Sequence, residues 1–473
     1  MMKDRPAYDL RTNGVKQSLR LGMLVYAVLA VLAAVFYLER IAMLDMAFQV
    51  FHILRTGSLQ IQSGRFGAAA TQGFPWVAQM LQLPLKSVLL SYSLGHALYY
   101  WLVFGLITAV LGQWKWGLVF VLLSTGMVTH TFYWLSEMPQ GLAFLMLVFA
   151  WIDWKGSLGA LKRWEYPLLA GAMVTAFYFH PMVLYALVFC SLFLLLEKPL
   201  PAGRRNLILF ALAIFFGAAL VKYKLLQLDW YDAIALERAQ AFELLWPQWF
   251  DLKSNRDFVR WCRSDYYLVP LLFFLNTGFY LWKGLQWKAA LAALFPVCYV
   301  LLVNIPFHAG ERQFYMENLY LPLAVFVSVP FIFDVLPGFF GGRYMVLTVA
   351  LLAGIGLIRI YRAHTGWTQR LQWEQGFLEK TAGLANRKLL LPEQNAPADT
   401  LLLSWGSAYE FLLLSSLEHP DSARCILIDE SPGRFDSLLR QRRLFLGEFR
   451  HYSFDSLPRR YFNVVDTSTY ARY

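Results

Sequence analysis

Long apolar runs separated by short polar segments dominate the chain as far as residue 361. Runs of this kind predict membrane-spanning helices, because lipid offers no hydrogen-bond partner to an exposed backbone. We place about eleven candidate spans, at roughly 21–38, 87–111, 116–135, 139–152, 166–179, 181–196, 206–221, 266–282, 288–304, 318–336 and 344–361. The spans between 139 and 196 are short, which predicts broken helices that are buried or line a cavity.

Two longer polar segments, 39–86 and 222–265, separate some of these spans. The first contains two amphipathic stretches, 45–54 and 74–83, with apolar residues at helical spacing. Helices of this type either lie in the membrane interface or pack against the helix bundle, and the sequence leaves both alternatives open.

The tail, 362–473, has a different pattern, in which short apolar runs alternate with helical segments. We predict helices at 364–386, 408–417 and 435–444, and strands at 400–405, 424–429 and 462–466. This alternation is typical of a short, mostly parallel sheet. The predicted fold is therefore an α-helical polytopic membrane protein (21–361) that follows a cytoplasmic segment (1–20) and carries a small C-terminal α/β soluble domain.

Composition supports a membrane protein and excludes a soluble enzyme, a disordered chain and a disulfide scaffold. Hydrophobic residues make up 58% of the chain and charged residues only 15%, whereas an ordinary globular chain has about 25% charged residues. The net charge of +11 lies wholly in residues 1–362, because the remaining segment contains 13 basic and 13 acidic residues. The basic excess thus lies beside the spans, where it sets topology, and we expect no nucleic-acid partner.

The distribution of basic residues also orients the chain. With the N-terminus inside, the N-terminal segment and the short inner loops hold 15 Lys and Arg residues, whereas the short outer loops hold only Arg312. An odd number of spans then places the tail outside. Polar residues gather on this outer face, which predicts that a site would open outward: Glu39, Arg40, Asp45, His52, Arg65, His130, Glu137, His180, His308, Glu311, Arg312 and Glu317.

Two acids on this face could act as bases. Asp45 follows the first span at the membrane interface, where partial desolvation raises the pKa of a carboxylate. The alternative is a helix N-cap for 45–54. Glu137 lies in the short loop SEMPQ, where an N-cap role is the alternative and Ser136 is the better cap.

Two further residues could bind a ligand. His180 and Pro181 interrupt an apolar run, which predicts two half-helices with a polar turn. Arg312 is a guanidinium suited to bidentate phosphate binding, and the alternatives are an ion pair with Glu311 or Glu317 or a lipid headgroup contact. No HxxxH or DxD-like pair indicates a metal site, so we expect no cofactor, although a divalent metal requirement stays open.

The combined layout resembles the GT-C superfamily of integral membrane glycosyltransferases. It includes an acid after span one, amphipathic helices in a long first outer loop, an acid in the next outer loop, short broken spans and an outer arginine before a late span. The similarity is nearest to bacterial members that use polyprenyl-phosphate-linked sugars, such as protein mannosyltransferases and the lipid A aminoarabinose transferase. This family often has a paired acid in the first loop, whereas Asp45 in LDMAF is unpaired.

The resemblance implies glycosyl transfer at the outer face of a bacterial cytoplasmic membrane. Asp45 would match the catalytic base, Glu137 the second acid and Arg312 a lipid-phosphate contact, with Arg65, His180, His308 and Tyr315 as further substrate-binding residues. The implied partners are a polyprenyl-phosphate sugar donor, membrane lipid and an unidentified acceptor or protein partner. The alternatives are a non-catalytic scaffold with a degenerate GT-C fold, or a transporter, although the repeated halves typical of many transporters are not evident.

Overall fold

A computed structural model describes residues 6–225, 233–234 and 237–473. Its helices in chain order are α1 Pro6–Val35, α2 Tyr37–Ile41, α3 Leu44–Thr56, α4 Ala69–Met80, α5 Leu85–Gly105, α6 Trp114–Thr125, α7 Glu137–Lys155, α8 Glu165–Phe177, α9 Val183–Leu195, α10 Ala202–Leu220, α11 Ala241–Leu244, α12 Lys253–Ser264, α13 Leu268–Trp282, α14 Gln286–Asn304, α15 Gln313–Tyr320, α16 Pro322–Pro330, α17 Leu336–Phe339, α18 Gly342–Arg362, α19 His364–Thr381, α20 Ala398–Leu401, α21 Ser407–Ser415 and α22 Asp436–Leu439. Part of the predicted outer segment 222–265 lies outside the described residues.

Six helical segments among the described residues are long and apolar enough to cross a membrane. They are Asn13–Val35, Leu85–Val110, Ala202–Leu225, Gln286–Asn304, Pro322–Phe339 and Gly342–Thr381. These helices confirm the prediction of an α-helical protein with several segments able to cross a membrane. Other predicted spans correspond to shorter apolar helices, such as α6, α9 and α13, so a count of eleven spans stays a prediction.

The first helix packs against α5, α6 and α18. Tyr26 lies between Phe104 and Phe120, with ring centroids 5.2 and 5.7 Å away. Helices α6 and α18 approach each other closely at Gly356, where an added Cβ would collide with the carbonyl oxygen of Thr125. These contacts hold the chain at the end of α1 in a fixed position above the bundle.

The C-terminal unit, which we define as residues 388–473, contains both sheets. Its strands are β1 Lys388–Pro392, β2 Cys425–Asp429, β3 Leu444–Leu446, β4 His451–Ser453 and β5 Ala471–Arg472. Strands β2, β1 and β5 form a parallel sheet in that order, and β3 pairs with β4 as an antiparallel hairpin. Helix α21 packs on β2, which agrees with the predicted alternation of helices and strands.

Two of the three strands predicted for the tail are wrong. The segment predicted as a strand at 400–405 overlaps α20, and Leu402 has a φ of +65°, which an extended strand does not allow. The strand predicted at 462–466 is also not observed, and the sheet instead has β1 at its centre with β2 and β5 on either side. Leu389–Leu391 and 401–403 are equally apolar, and periodicity in such short runs does not decide which one pairs with β2.

The two amphipathic segments of the first outer loop differ in their surroundings. Helix α3 packs against the C-terminal unit, where Phe51 stacks on Phe445 at 5.1 Å and both are fully buried. Helix α4 packs against α5 and leaves Val77 and Met80 about half exposed. Helix α3 is therefore buried against the rest of the protein, whereas α4 keeps an apolar face exposed.

A fully buried ion cluster joins α19, α21 and α3. The Arg370 guanidinium pairs with Glu374 at 3.2 Å and with Glu410, and all three side chains are completely shielded from solvent. The other carboxylate oxygen of Glu410 accepts a 2.6 Å hydrogen bond from the backbone N–H of Leu44. One carboxylate thus connects the C-terminal unit to the residue that precedes Asp45.

Arg370→Met should destabilise the protein strongly, because it leaves two buried carboxylates without their cation. Removing one partner of a buried pair costs about 3–5 kcal/mol. Melting temperatures of the purified protein in detergent would measure the loss.

The matched control is Arg443→Met, whose ion pair with Asp455 lies at the surface, with the two side chains 47% and 61% exposed. Surface pairs contribute about 0–1 kcal/mol, so this variant should melt close to wild type. Equal melting temperatures for the two variants would contradict the importance of the cluster.

Candidate functional site

Asp45 lies in the first turn of α3, immediately after the positive-φ residue Leu44. Its Oδ2 accepts a 2.8 Å hydrogen bond from the indole Nε1 of Trp134. The alternative N-cap role is not observed, because Met43 occupies the cap position and no side chain caps the helix. The carboxylate is therefore held by a side chain from the segment between α6 and α7.

Glu137 lies close enough to act electrostatically on Asp45, and Arg65 acts on both acids. The Arg65 guanidinium is 3.5 Å from the Glu137 carboxylate, and these side chains are only 14% and 13% exposed. Glu137 begins α7 and Arg65 precedes Phe66 in the first outer loop. The structure thus brings together three predicted site residues, two from the segment 39–86 and one from the start of α7.

The surroundings of Asp45 raise its pKa to about 6 from an ordinary value of 3.8. Desolvation by burial is the main cause, and the negative charge of Glu137 adds to it. The Trp134 hydrogen bond and the charge of Arg65 oppose this rise. Asp45 is consequently ionised at neutral pH and remains more basic than an exposed aspartate, as a general base requires.

Tyr315 contacts Trp134, the residue that donates a hydrogen bond to Asp45. Its ring stacks on the Trp134 indole with centroids 5.5 Å apart, and Phe314 packs edge-on against that indole at 4.8 Å. One turn later in α15, Asn318 accepts a 2.8 Å hydrogen bond from the Ser136 hydroxyl. Helix α15 is therefore fixed against the segment that holds Asp45.

Arg312 and His308 lie at the exposed entrance to α15 and not in the buried part of the cluster. Arg312 occupies the N-cap position of α15, one turn before Tyr315. The alternative ion pair with Glu317 is not observed, because Glu317 is fully buried and accepts hydrogen bonds from Thr129, Thr131 and Tyr266. The Arg312 guanidinium is thus available to solvent.

His180 occupies the predicted turn between α8 and α9, on the Arg65 side of the cluster. Its Nδ1 accepts a hydrogen bond from the Met182 backbone N–H at 3.2 Å, and Arg65 is among the charges that act on it. The turn packs against the first outer loop at Gly67, where an added Cβ would collide with the Phe179 ring. The interruption predicted by His180 and Pro181 is confirmed.

A small apolar cavity of about 50 Å³ lies next to this cluster, between α1, α5 and α6. Its lining includes Leu29, Ala97, Phe120 and Leu135, the neighbour of Trp134, whereas neither Asp45 nor Arg312 lines it. Among the described residues, no group of three or more His, Cys, Asp or Glu side chains could hold a metal ion.

Sequence analysis missed Trp134, which connects Asp45 to Tyr315. The residue lies in an apolar run that was assigned to a span, so nothing in the local pattern separates it from the other sixteen tryptophans. Only the fold shows that its indole N–H reaches a carboxylate 89 positions earlier.

Asp45→Asn should change how stability depends on pH. Because the folded-state pKa of Asp45 is raised to about 6, its contribution to stability is present below about pH 4 and lost as the pH rises through 6. Relative to wild type, Asp45→Asn should therefore become more stable between pH 4 and pH 7, as measured by melting temperature.

Asp436→Asn, at a surface ion pair with Arg472, controls for the loss of one negative charge. Melting curves of Asp45→Asn that run parallel to wild type over this pH range would show that Asp45 is not desolvated.

Comparisons of the chain with protein-family models, with curated proteins and with solved structures give no match.

Proposed function

We propose that this protein transfers a sugar from a polyprenyl-phosphate donor to an acceptor hydroxyl at the outer face of a bacterial cytoplasmic membrane. The observation that carries the proposal is the convergence of Asp45 and Arg65, from the segment 39–86, with Glu137 at the start of α7, beside the Trp134–Tyr315 stack. Ionisable groups gathered in a helical membrane protein are expensive to desolvate and typically mark a functional site. The resemblance in layout to the GT-C superfamily points to the same chemistry.

The proposed reaction needs one base and one group that stabilises the leaving phosphate. Asp45 takes the proton of the acceptor hydroxyl, whose oxygen attacks the anomeric carbon as the bond to the polyprenyl phosphate breaks. Arg312 stabilises the negative charge that grows on that phosphate. The support for these roles is the raised pKa of Asp45 and the solvent-accessible guanidinium of Arg312.

Glu137 and Arg65 hold the site in its charged state. The Arg65 guanidinium favours ionisation of Asp45, and Glu137 keeps the carboxylate basic. We assign contacts with the donor sugar to Tyr315, which stacks on Trp134, and to His180 and His308.

A second candidate function is a non-catalytic scaffold with the same architecture. Two observations favour it: Asp45 is not followed by a second acid in the first loop, and neither Asp45 nor Arg312 lines the apolar cavity. In that case the carboxylate would serve only to hold Trp134 in place.

Asp45→Asn separates these two functions, because it keeps the size of the side chain and removes the base. Under the transferase proposal turnover should fall by about 10²–10⁴-fold, the range for losing general base catalysis. The assay is release of polyprenyl phosphate from a panel of undecaprenyl-phosphate sugars, with a membrane extract as the source of acceptor.

Arg312→Ala, tested in the same assay, should weaken donor binding and slow the chemical step, and Arg312→Lys should restore activity only in part. Arg343→Ala, at an exposed arginine of the predicted inner side, is the control and should be fully active. Full activity of Asp45→Asn would leave the scaffold as the better explanation.

The proposed orientation, with the N-terminus inside and the C-terminal unit outside, is tested at Ser437, which is exposed. Ser437→Cys, with Cys262 and Cys298 replaced by serine, should react with a membrane-impermeant maleimide in intact spheroplasts. The two remaining cysteines, Cys190 and Cys425, are buried. Labelling that requires permeabilisation would place the unit in the cytoplasm.

A further inference from the structure

Helix α4 has an apolar face that the rest of the described chain leaves uncovered. Val77 and Met80 lie three residues apart on this face, and Leu81 and Leu83 continue it in the turn before α5. Met80 and Leu81 are 59% and 67% exposed. We define these four residues as the α4 patch. Large apolar residues that are exposed side by side normally mark a surface that contacts a partner or a membrane.

The sequence around the α4 patch contains no charge. All twenty residues of the segment 66–85 are uncharged, whereas an ordinary globular chain has about one charged residue in four. A surface that faces water normally carries charged residues of both signs. The composition of this segment therefore fits an apolar medium better than water.

Helix α4 packs along α5, which begins the apolar segment Leu85–Val110 that is long enough to cross a membrane. The contact is closest at Gly95, where an added Cβ would collide with the Phe74 ring. Gly95 lies ten residues into α5, which is about 15 Å from the start of the helix. Helix α4 thus lies beside the first half of a segment that can span the bilayer.

The position of α1 indicates where lipid begins along α5. Ser93 on α5 donates a 2.7 Å hydrogen bond to the carbonyl oxygen of Ala33 on α1. The nearby Val35 is 62% exposed and belongs to the apolar segment that α1 contributes to the bundle, so lipid is the medium that covers it. Phe74 lies at this level, and Met80 lies six residues, about 9 Å, further along α4. The α4 patch is therefore at the edge of the same lipid layer.

Buried hydrogen bonds fix which face of α4 is turned outward. Thr71 donates a 3.1 Å hydrogen bond to the side chain of Gln140 on α7, and Gln72 donates one of 3.1 Å to the side chain of Gln49 on α3. All four side chains are buried. Helices α3 and α7 carry the two acids of the candidate site, so α4 lies between that site and the α4 patch.

Basic side chains border the α4 patch on the side of the C-terminal unit. Arg460 and Tyr461 donate hydrogen bonds to the turn between α4 and α5, and the bond from Tyr461 Oη to the Leu83 carbonyl oxygen is 3.1 Å long. Lys86, Arg459 and Arg460 are all exposed. An apolar surface with basic residues at its rim is complementary to anionic lipid, which presents phosphate groups above its acyl chains.

We infer that the α4 patch enters the lipid layer on the side of the C-terminal unit, and that Lys86, Arg459 and Arg460 contact anionic phosphate headgroups there. Helix α4 then lies in the membrane interface, one of the two alternatives that the sequence leaves open. The C-terminal unit rests on the membrane beside it. This contact does not depend on the proposed glycosyl transfer.

The test uses a nitroxide spin label at position 80, attached to Met80→Cys with Cys262 and Cys298 replaced by serine, in nanodiscs of phosphatidylglycerol. We expect the label to collide more often with molecular oxygen, which concentrates in lipid, than with a water-soluble nickel chelate. Labels at Leu102→Cys, an exposed position of the α5 spanning segment, and at Val465→Cys, an exposed position of the C-terminal unit, are the references for lipid and for water.

Two outcomes would overturn the inference. A label at position 80 that behaves like the label at position 465 would show that the α4 patch lies in water. A label at position 80 that neither reagent reaches would show that protein, such as a second copy of the chain, covers the patch. The Asp45→Asn variant should give the same label accessibility as its parent, so this test is separate from the test of the proposed function.

The basic rim is tested by native mass spectrometry of the full chain in detergent with equal amounts of phosphatidylglycerol and phosphatidylcholine. Wild type should retain phosphatidylglycerol several-fold more than phosphatidylcholine, and the double variant Lys86→Gln and Arg459→Gln should lose most of this preference. Arg440→Gln, at an exposed arginine of the C-terminal unit, is the control and should behave like wild type. An unchanged preference in the double variant would contradict the assigned headgroup contacts.

Discussion

The assembly of the C-terminal unit with α19 and α3 depends on the buried carboxylate of Glu410. This carboxylate pairs with Arg370 on α19 and accepts a hydrogen bond from the backbone of Leu44, which begins α3. Gly406 makes this approach possible, because a Cβ there would lie 2.9 Å from the Leu44 Cα. An ion pair of this kind needs every partner in place, since a lone charge at such depth is strongly unfavourable. The C-terminal unit, α19 and α3 are therefore positioned together.

The position of α3 explains the electrostatics of Asp45. The helix start is fixed by Glu410, and the Asp45 side chain is fixed by the Trp134 indole. Two acids and one guanidinium then share a small, partly desolvated space, in which the Arg65 guanidinium lies 3.5 Å from the Glu137 carboxylate and also acts on Asp45. The charge on Asp45 is only partly compensated, which keeps this carboxylate basic.

The same helix separates two kinds of environment along its length. Phe51 and its apolar neighbours bury one side of α3 in the C-terminal unit, and this burial stabilises the contact through the hydrophobic effect. The side that carries His52 and Arg55 packs against the ring of Tyr452. Contact between α3 and the C-terminal unit therefore combines apolar burial with a cation–π interaction.

The sequence by itself determined the class of the protein, the presence of α3, the break at His180 and a parallel sheet near the C-terminus. These features follow from local patterns, namely apolar runs, helical spacing and proline. It also indicated Asp45, Arg65 and Glu137, because charged residues beside spans are rare. Tertiary structure alone decided that these three meet at Trp134 while Arg312 stays exposed. It also decided that Leu389–Leu391 pairs with β2 in place of 401–403. Such outcomes depend on contacts between residues far apart in the chain, and those contacts have no signature in local periodicity.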